Sequence, residues 1–305
     1  MAWRPRVAVA ATVINNSISH YVNFPTYADT MNAMVYWAQQ DASRIDPMGD
    51  NSSCSGNYYG KTVIAVLDFG SPDYNAAGTE WGVDNWGAYG VQYWYSFTNL
   101  QSFAEQYAEE YYVNAGVCSH MTVAIGVSNS YECTAANQQQ SLYCLNNEGT
   151  GLGLAVSNAE NALHSYAGQS SANAAILNQV NIAGSDDIES GPGFDTYNVT
   201  QDFMGGFAGE NNLTGGDYYL WDYGGFGSLC GSNCSTGNTT TWDYGEFYMA
   251  AWGYGWDMPL PENYNSNDTF EGPGWGQYIK IRSIQPYVKI ALSTAHLRGQ
   301  YNLVV

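Results

Sequence analysis

The stretch QVNIAGSDDIE, residues 179–189, sets Asp186, Asp187 and Glu189 directly after an apolar run at 180–183. In an extended chain the side chains at i and i+2 share a face, so Asp187 and Glu189 are expected to point the same way from the end of one strand. Paired carboxylates in a concave site are the minimum equipment for glycoside hydrolysis. Crowding raises the pKa of one, which then serves as the acid while its neighbour stays charged. The plainer role of such residues is to cap the turn or helix that follows a strand. Asp68, Asn129, Asp222 and Glu262 also follow apolar runs, which makes several strand ends carrying polar groups rather than one.

The elements that would position these groups alternate in kind. Residues 7–14 form an apolar run after Arg4 and Arg6, readable as a first strand or as the start of a signal peptide. Residues 27–42 place Met31, Met34, Val35 and Ala38 at helical spacing, and residues 62–67 are a continuous apolar strand of the kind buried on both faces. Residues 73–95 read as a long Gly/Trp/Tyr-rich loop. A helix at 100–112 (Phe103, Tyr107 and Tyr111 on one face), a strand at 121–127, a helix at 154–166 and a short, glycine-weakened helix at 202–208 complete the central part. Strands are expected at 218–221 and 246–252, an extended piece at 259–264, and a helix or strand at 275–284.

Alternation of this kind predicts an α/β fold with a parallel sheet. The first expectation is a (β/α)8-type barrel over residues 1–284, with 285–305 as an added strand packing on the barrel or on a partner. An open doubly wound sheet is the alternative, and the Gly, Asn and Tyr content would also suit an all-β sandwich. In a barrel the C-terminal strand ends open on one face, where functional groups gather.

Composition narrows the function classes. Lys+Arg 8 against Asp+Glu 28 gives a formal charge of -20, and only 12% of residues are charged, against about 25% in ordinary domains. Nucleic acid is excluded as a partner because too few cations face its phosphates, and anionic membrane surfaces are disfavoured for the same reason. No apolar run approaches the roughly 20 residues that cross a bilayer, so no membrane insertion is expected.

Neutral polar residues, N-x-S/T sequons beginning at Asn15, Asn51, Asn198, Asn212, Asn233, Asn238 and Asn267, and 6 Cys point to an extracellular or cell-surface protein. In the barrel arrangement Cys54 and Cys118 precede neighbouring strands on the face opposite the site, where they could pair. Cys133 with Cys144, and Cys230 with Cys234, would staple local loops. A zinc site at CGSNC is the alternative. The histidines at 20, 120, 164 and 296 lack ligand spacing, so no metal and no cofactor are expected.

Aromatics crowd the same loops: Trp81, Trp86, Tyr93 and Trp94 after the second strand, Trp221 and Tyr223 around Asp222, and Trp252, Tyr254 and Trp256 later. Flat rings stack on sugar C–H faces, and carboxylates with Asn or Tyr groups bond sugar hydroxyls, so a polysaccharide or peptidoglycan is the expected substrate class.

The succession AVLDFG, VAIGVSNS, GSDDIES, YYLWDYG and AAWGYGWDMPLPENY, over roughly residues 61–284, resembles secreted bacterial proteins of the glycoside-hydrolase-like TIM-barrel type, distantly similar to family-25 lysozymes. The resemblance implies Glu189 as proton donor, Asp187 as stabiliser of the reacting sugar, and Asp68 and Asp222 as outlying acids. Asn129, Trp221, Tyr223, Trp252, Trp256 and Glu262 would then contact substrate. The expected activity is muramidase-like or chitinase-like hydrolysis. The alternatives are a non-catalytic polysaccharide- or cell-wall-binding module and a structural surface glycoprotein that self-assembles, as a homo-oligomer, through Tyr-rich faces. If the cysteines are staples, mass spectrometry of the unreduced protein will find all six oxidised and no zinc; a free thiol at Cys230 or Cys234 would contradict the staple assignment.

Overall fold

The computed structural model describes residues 14–46, 61–75, 80–85, 93–130, 138–191, 194–214, 218–224, 241–243, 246–247, 249–250 and 257–260. Its centre is set by β2 (Lys61–Asp68), whose apolar run without alternation is buried on both faces. β2 pairs in parallel with β1 (Ile14–Tyr21) on one side and β6 (Ser119–Ser128) on the other. β7 (Val180–Asp187), β8 (Leu220–Asp222) and β9 (Asp257–Pro259) extend the sheet in the order β1-β2-β6-β7-β8-β9, every pair parallel. Between β2 and β6, β3 (Ser71–Tyr74), β4 (Trp81–Asp84) and β5 (Trp94–Ser96) make a separate antiparallel sheet.

Among the described residues four long helices connect these strands: α1 (Tyr27–Ile45), α2 (Phe97–Asn114), α3 (Gln138–Gln169) and α4 (Tyr197–Thr214). Local signals start the first two. Thr26 caps α1 by accepting from the Asp29 amide, and Ser96 with Asn99 forms a capping box at α2. α1 packs on α2, α2 on α3 and α3 on α4.

Strand alternation divides the core in two. Val63, Ala65 and Leu67 of β2, with Val123, Ile125 and Val127 of β6, share one cluster with Met34 and Ala38 of α1, Phe103 and Tyr107 of α2, and Met204 and Phe207 of α4. The alternate positions Ile64, Val66, Ala124 and Ala183 form a second cluster with Trp221, Tyr223 and Leu260, which contains no residue of α1–α4. All four helices thus cover one face of the sheet, and the other face buries strand residues against one another. The strand order never reverses along these six strands. Neither feature belongs to a doubly wound sheet, which carries helices on both faces, and parallel strands with crossover helices exclude the all-β sandwich.

Several expectations change. The first described strand is the polar segment Ile14–Tyr21, and of the predicted strand at 7–14 only Ile14 lies among the described residues; β1 is recruited by pairing with β2, with Ser17 buried in spite of its hydroxyl. Residues 73–95 include the antiparallel sheet, because Tyr74 pairs with Trp81 and Val83 with Tyr95. Within the predicted strand at 246–252 the described residues Glu246, Phe247, Met249 and Ala250 are helical instead, initiated by reciprocal bonds between Asp243 and Glu246. The end of the predicted 259–264 piece and all of 275–284 and 285–305 lie outside the described residues.

α3 and α4 exceed their predicted lengths despite several glycines, and their packing explains it. A Cβ at Gly149 would overlap the Phe203 carbonyl, and one at Gly206 the Asn146 carbonyl. The two backbones therefore touch, and burial of neighbours such as Leu152 and Phe207 offsets the glycine cost of about 1 kcal/mol each. Gly206→Ala is expected to destabilise the protein by about 2 kcal/mol in denaturant unfolding, although alanine is the better helix former. Gly209→Ala, where a Cβ meets nothing within 4 Å, is expected to stabilise by about 0.5 kcal/mol. Equal effects at the two positions would contradict this packing.

Candidate functional site

Parallel register brings the predicted strand-end residues to one edge of the sheet. Tyr21 is paired with Asp68, Asp68 with Gly126, Ser128 with Asp187, and Asp186 with Asp222. On β2, Asp68 follows Ile64 and Val66 on the face without helices, and on β7 Asp187 follows Ala183 on that same face. Asp186 and Asp222 alternate onto the other face, two positions after Gly184 and Leu220, which meet Phe207 of α4.

Tyr223 ties the inward residues together. It is 1% exposed and its hydroxyl donates to the Val127 carbonyl at 2.9 Å. Burial holds the phenol well above its usual titration range, and the charges of Asp68, Asp187 and Asp186, with Tyr21, raise it further. Acids from β2 and β7 thus act on one hydroxyl from the end of β8. Asp68 also accepts from the Gly70 amide at 3.1 Å, at a turn where Gly70 has φ +113 and a side chain would be strained.

Asp186 and Asp222 are each 1% exposed. Burial, followed by the charges of Asp222, Asp195 and Asp68, pushes Asp186 well above the ordinary carboxyl range. Asp222 is raised mainly by burial, with a further push from Glu189, against the opposing effect of hydrogen bonds from the Gly224 and Ile188 amides. Burial thus favours the protonated over the ionised form of both, relative to an exposed carboxyl.

Glu189 stands two residues beyond Asp187, with Ile188 between them in the helix-side core. Asp187 and Glu189 are both half-buried, and Ile188 is fully buried. Asn129 meets Glu189 through its backbone: the Asn129 Nδ2 donates to the Glu189 carbonyl at 2.8 Å and its Oδ1 accepts from the Glu189 amide at 2.9 Å. Its carboxamide is committed to that backbone. Trp221 is 5% exposed and packs in the inner cluster, as does Tyr223, so neither presents the open ring face expected of a stacking platform. Trp252, Trp256 and Glu262 lie outside the described residues.

A second acid pair escaped the sequence reading. Asp73 and Asp84 meet across the β3–β4 ladder, and burial together with the charge of Asp73 and a hydrogen bond between the two pushes Asp84 up to about 6. Nothing short of the strand register could reveal it. Also on the helix side, His20 at the end of β1 lies 2.7 Å from Asp41, which accepts from Tyr107 at 2.6 Å, while Trp37 stacks on the imidazole. Among the described residues no group of three or more His, Cys, Asp or Glu is arranged to hold a metal ion, and no helix is long and apolar enough to cross a membrane. Comparison with protein-family models, curated proteins and solved structures finds no match.

The buried acids predict a pH dependence. A carboxyl raised above its unfolded value, 3.8 for Asp, binds more protons folded than unfolded between the two pKa values, so its contribution is intact below that unfolded value and is lost as pH rises through the folded one. Unfolding free energy is expected to fall as pH rises from about 4. Asp222→Asn, which fixes the neutral form, will flatten that fall; an unchanged slope would contradict the assignment.

Proposed function

We propose that the chain is a secreted glycan-acting barrel, most concretely a glycoside hydrolase, with its site at the C-terminal ends of the parallel strands. The observation that carries this is the parallel register that sets Asp68, Asp187 and Asp222 at one edge of the sheet, with the buried Tyr223 hydroxyl bonded to the Val127 carbonyl on the strand between β2 and β7. It answers the main weakness of isolated acids after strands, which is that they need not meet. Barrel closure is part of the proposal: six parallel strands in sequence order, helices on one face only, and an opposite face buried within itself favour a sheet that curls on its helix-free side. Cys118 is disulfide-bonded, which favours an oxidising compartment.

In this reading Glu189 protonates the leaving oxygen and Asp187 stabilises the cationic sugar. Asp68 and Tyr223 lie deeper and fix the charge and hydrogen bonding beneath the sugar. Polysaccharide or peptidoglycan is the proposed substrate.

Glu189→Gln is expected to keep glycan binding within a few-fold while lowering reducing-sugar release by at least about 100-fold, because the proton donor is lost. Asp187→Asn will also impair turnover. Peptidoglycan, chitin and plant polysaccharides are the substrates to compare. No release by the wild type from any of them, with binding retained, would replace this proposal with a non-catalytic binding module.

A further inference from the structure

We propose that Asn129 and Asp222, reaching in from the strands on either side of β7, with Gly224 packed against the Ile188 backbone, are positioning residues that fix the peptide carrying Glu189; the inference rests on the reading of Glu189 as proton donor. β7 ends at Asp187, so residues 188 and 189 have left the ladder and need other partners for their backbone. From β6, Asn129 supplies both, exchanging two hydrogen bonds with the Glu189 amide and carbonyl as a further ladder rung would. The Asn129 backbone is itself held, its amide donating to the Asp187 carbonyl at 3.3 Å and its carbonyl accepting from the Asp195 amide at 3.0 Å.

From β8, the Asp222 carboxyl accepts from the Gly224 amide at 3.1 Å and so holds Gly224 in place beside Ile188. The Tyr223 amide donates to the Asp186 carbonyl at 3.0 Å, which aligns the two strand ends. Gly224 lies so close to Ile188 that a Cβ would overlap the Ile188 backbone nitrogen, carbon and oxygen. Ile188 meanwhile is fully buried among the helix-side residues. The backbone of Glu189 is thus gripped from both neighbours and anchored by the residue before it, leaving its side-chain torsions as the remaining freedom. A proton donor needs this, because misplacement by about 1 Å costs orders of magnitude in rate.

The test uses the full-length chain and three proteins: wild type, Asn129→Ala and Asp222→Asn. Carbon-13 NMR follows the Glu189 carboxyl, and hydrogen exchange follows its amide. In Asn129→Ala the Glu189 amide is expected to exchange at least about fivefold faster, as loss of one hydrogen bond allows, with a displaced carboxyl midpoint and unchanged exchange at residues 180–185. Asp222→Asn keeps an oxygen acceptor for the Gly224 amide, so it is expected to hold Glu189 exchange within about twofold of wild type. Kinetically, Asn129→Ala is expected to lower kcat at least about tenfold with little change in KM, the signature of lost transition-state alignment. A folded Asn129→Ala with wild-type exchange and midpoint at Glu189 would overturn the proposal. If that variant does not fold, Asn129→Leu, which keeps about the same side-chain volume and removes both hydrogen bonds to Glu189, is read by the same two signals with the same criteria. A wild type inactive on every glycan, with these NMR changes present, would remove the proton-donor reading and leave the positioning of Glu189 standing.

Discussion

The constraint on which this structure turns is the burial of carboxyl groups in a chain that carries 28 acidic and 8 basic side chains. Asp186 and Asp222 are brought together by strand register at a buried edge. Ionised, each would carry a desolvation cost and repel the other. The forces acting on Asp186 are burial and three other carboxyls, all of which favour its neutral form. Asp222 is moderated by backbone amides, of which that of Gly224 donates to it at 3.1 Å, and so helps to shape the end of β8.

The remainder of the fold brings those strand ends to one level. β2 and β6 contribute a continuous register over eight residue pairs, Lys61 with Ser119 through to Asp68 with Gly126, and their helix-side residues lock α1, α2 and α4 onto one face. Gly126 is where this packing meets the site: a Cβ there would crowd the Leu67 carbonyl, the Ser185 hydroxyl and the Tyr223 hydroxyl. Its missing side chain lets Tyr223 lean across β6 and reach the Val127 carbonyl. The hydroxyl that senses Asp68 and Asp187 is thereby placed by a glycine on a third strand.

How far these features can be read from sequence depends on which force selects them. β2, β6 and β7 and the helices α1 and α2 follow from apolar patterning, since their burial is what the pattern records. Asp68, Asn129, Asp187 and Asp222 were legible as strand-end residues for the same reason. β1 was not, because its sequence INNSISHY is polar and parallel pairing with β2, a non-local effect, decides its conformation. The β3–β5 sheet escaped because short strands rich in Gly, Trp and Tyr look like loop until their cross-strand partners are known. α3 and α4 were underestimated because the glycines that weaken a helix alone are the ones that let two helices touch. The duty of Asn129 to the Glu189 backbone, and the burial of Trp221, were invisible for a related reason: residue type announces what a side chain can bond, not which partner reaches it first.

The account stands on acids from β2, β7 and β8 sharing one electrostatic environment. The most direct measurement is the carboxyl carbon-13 titration of Asp186 in wild type, Asp68→Asn and Asp222→Asn. Each substitution removes a carboxyl whose charge raises Asp186, so its midpoint is predicted to fall in both variants, and further in Asp222→Asn, whose partner is the direct neighbour in register. An Asp186 midpoint unmoved by Asp68→Asn and by Asp222→Asn would show that these strand ends do not form one site and would contradict the account.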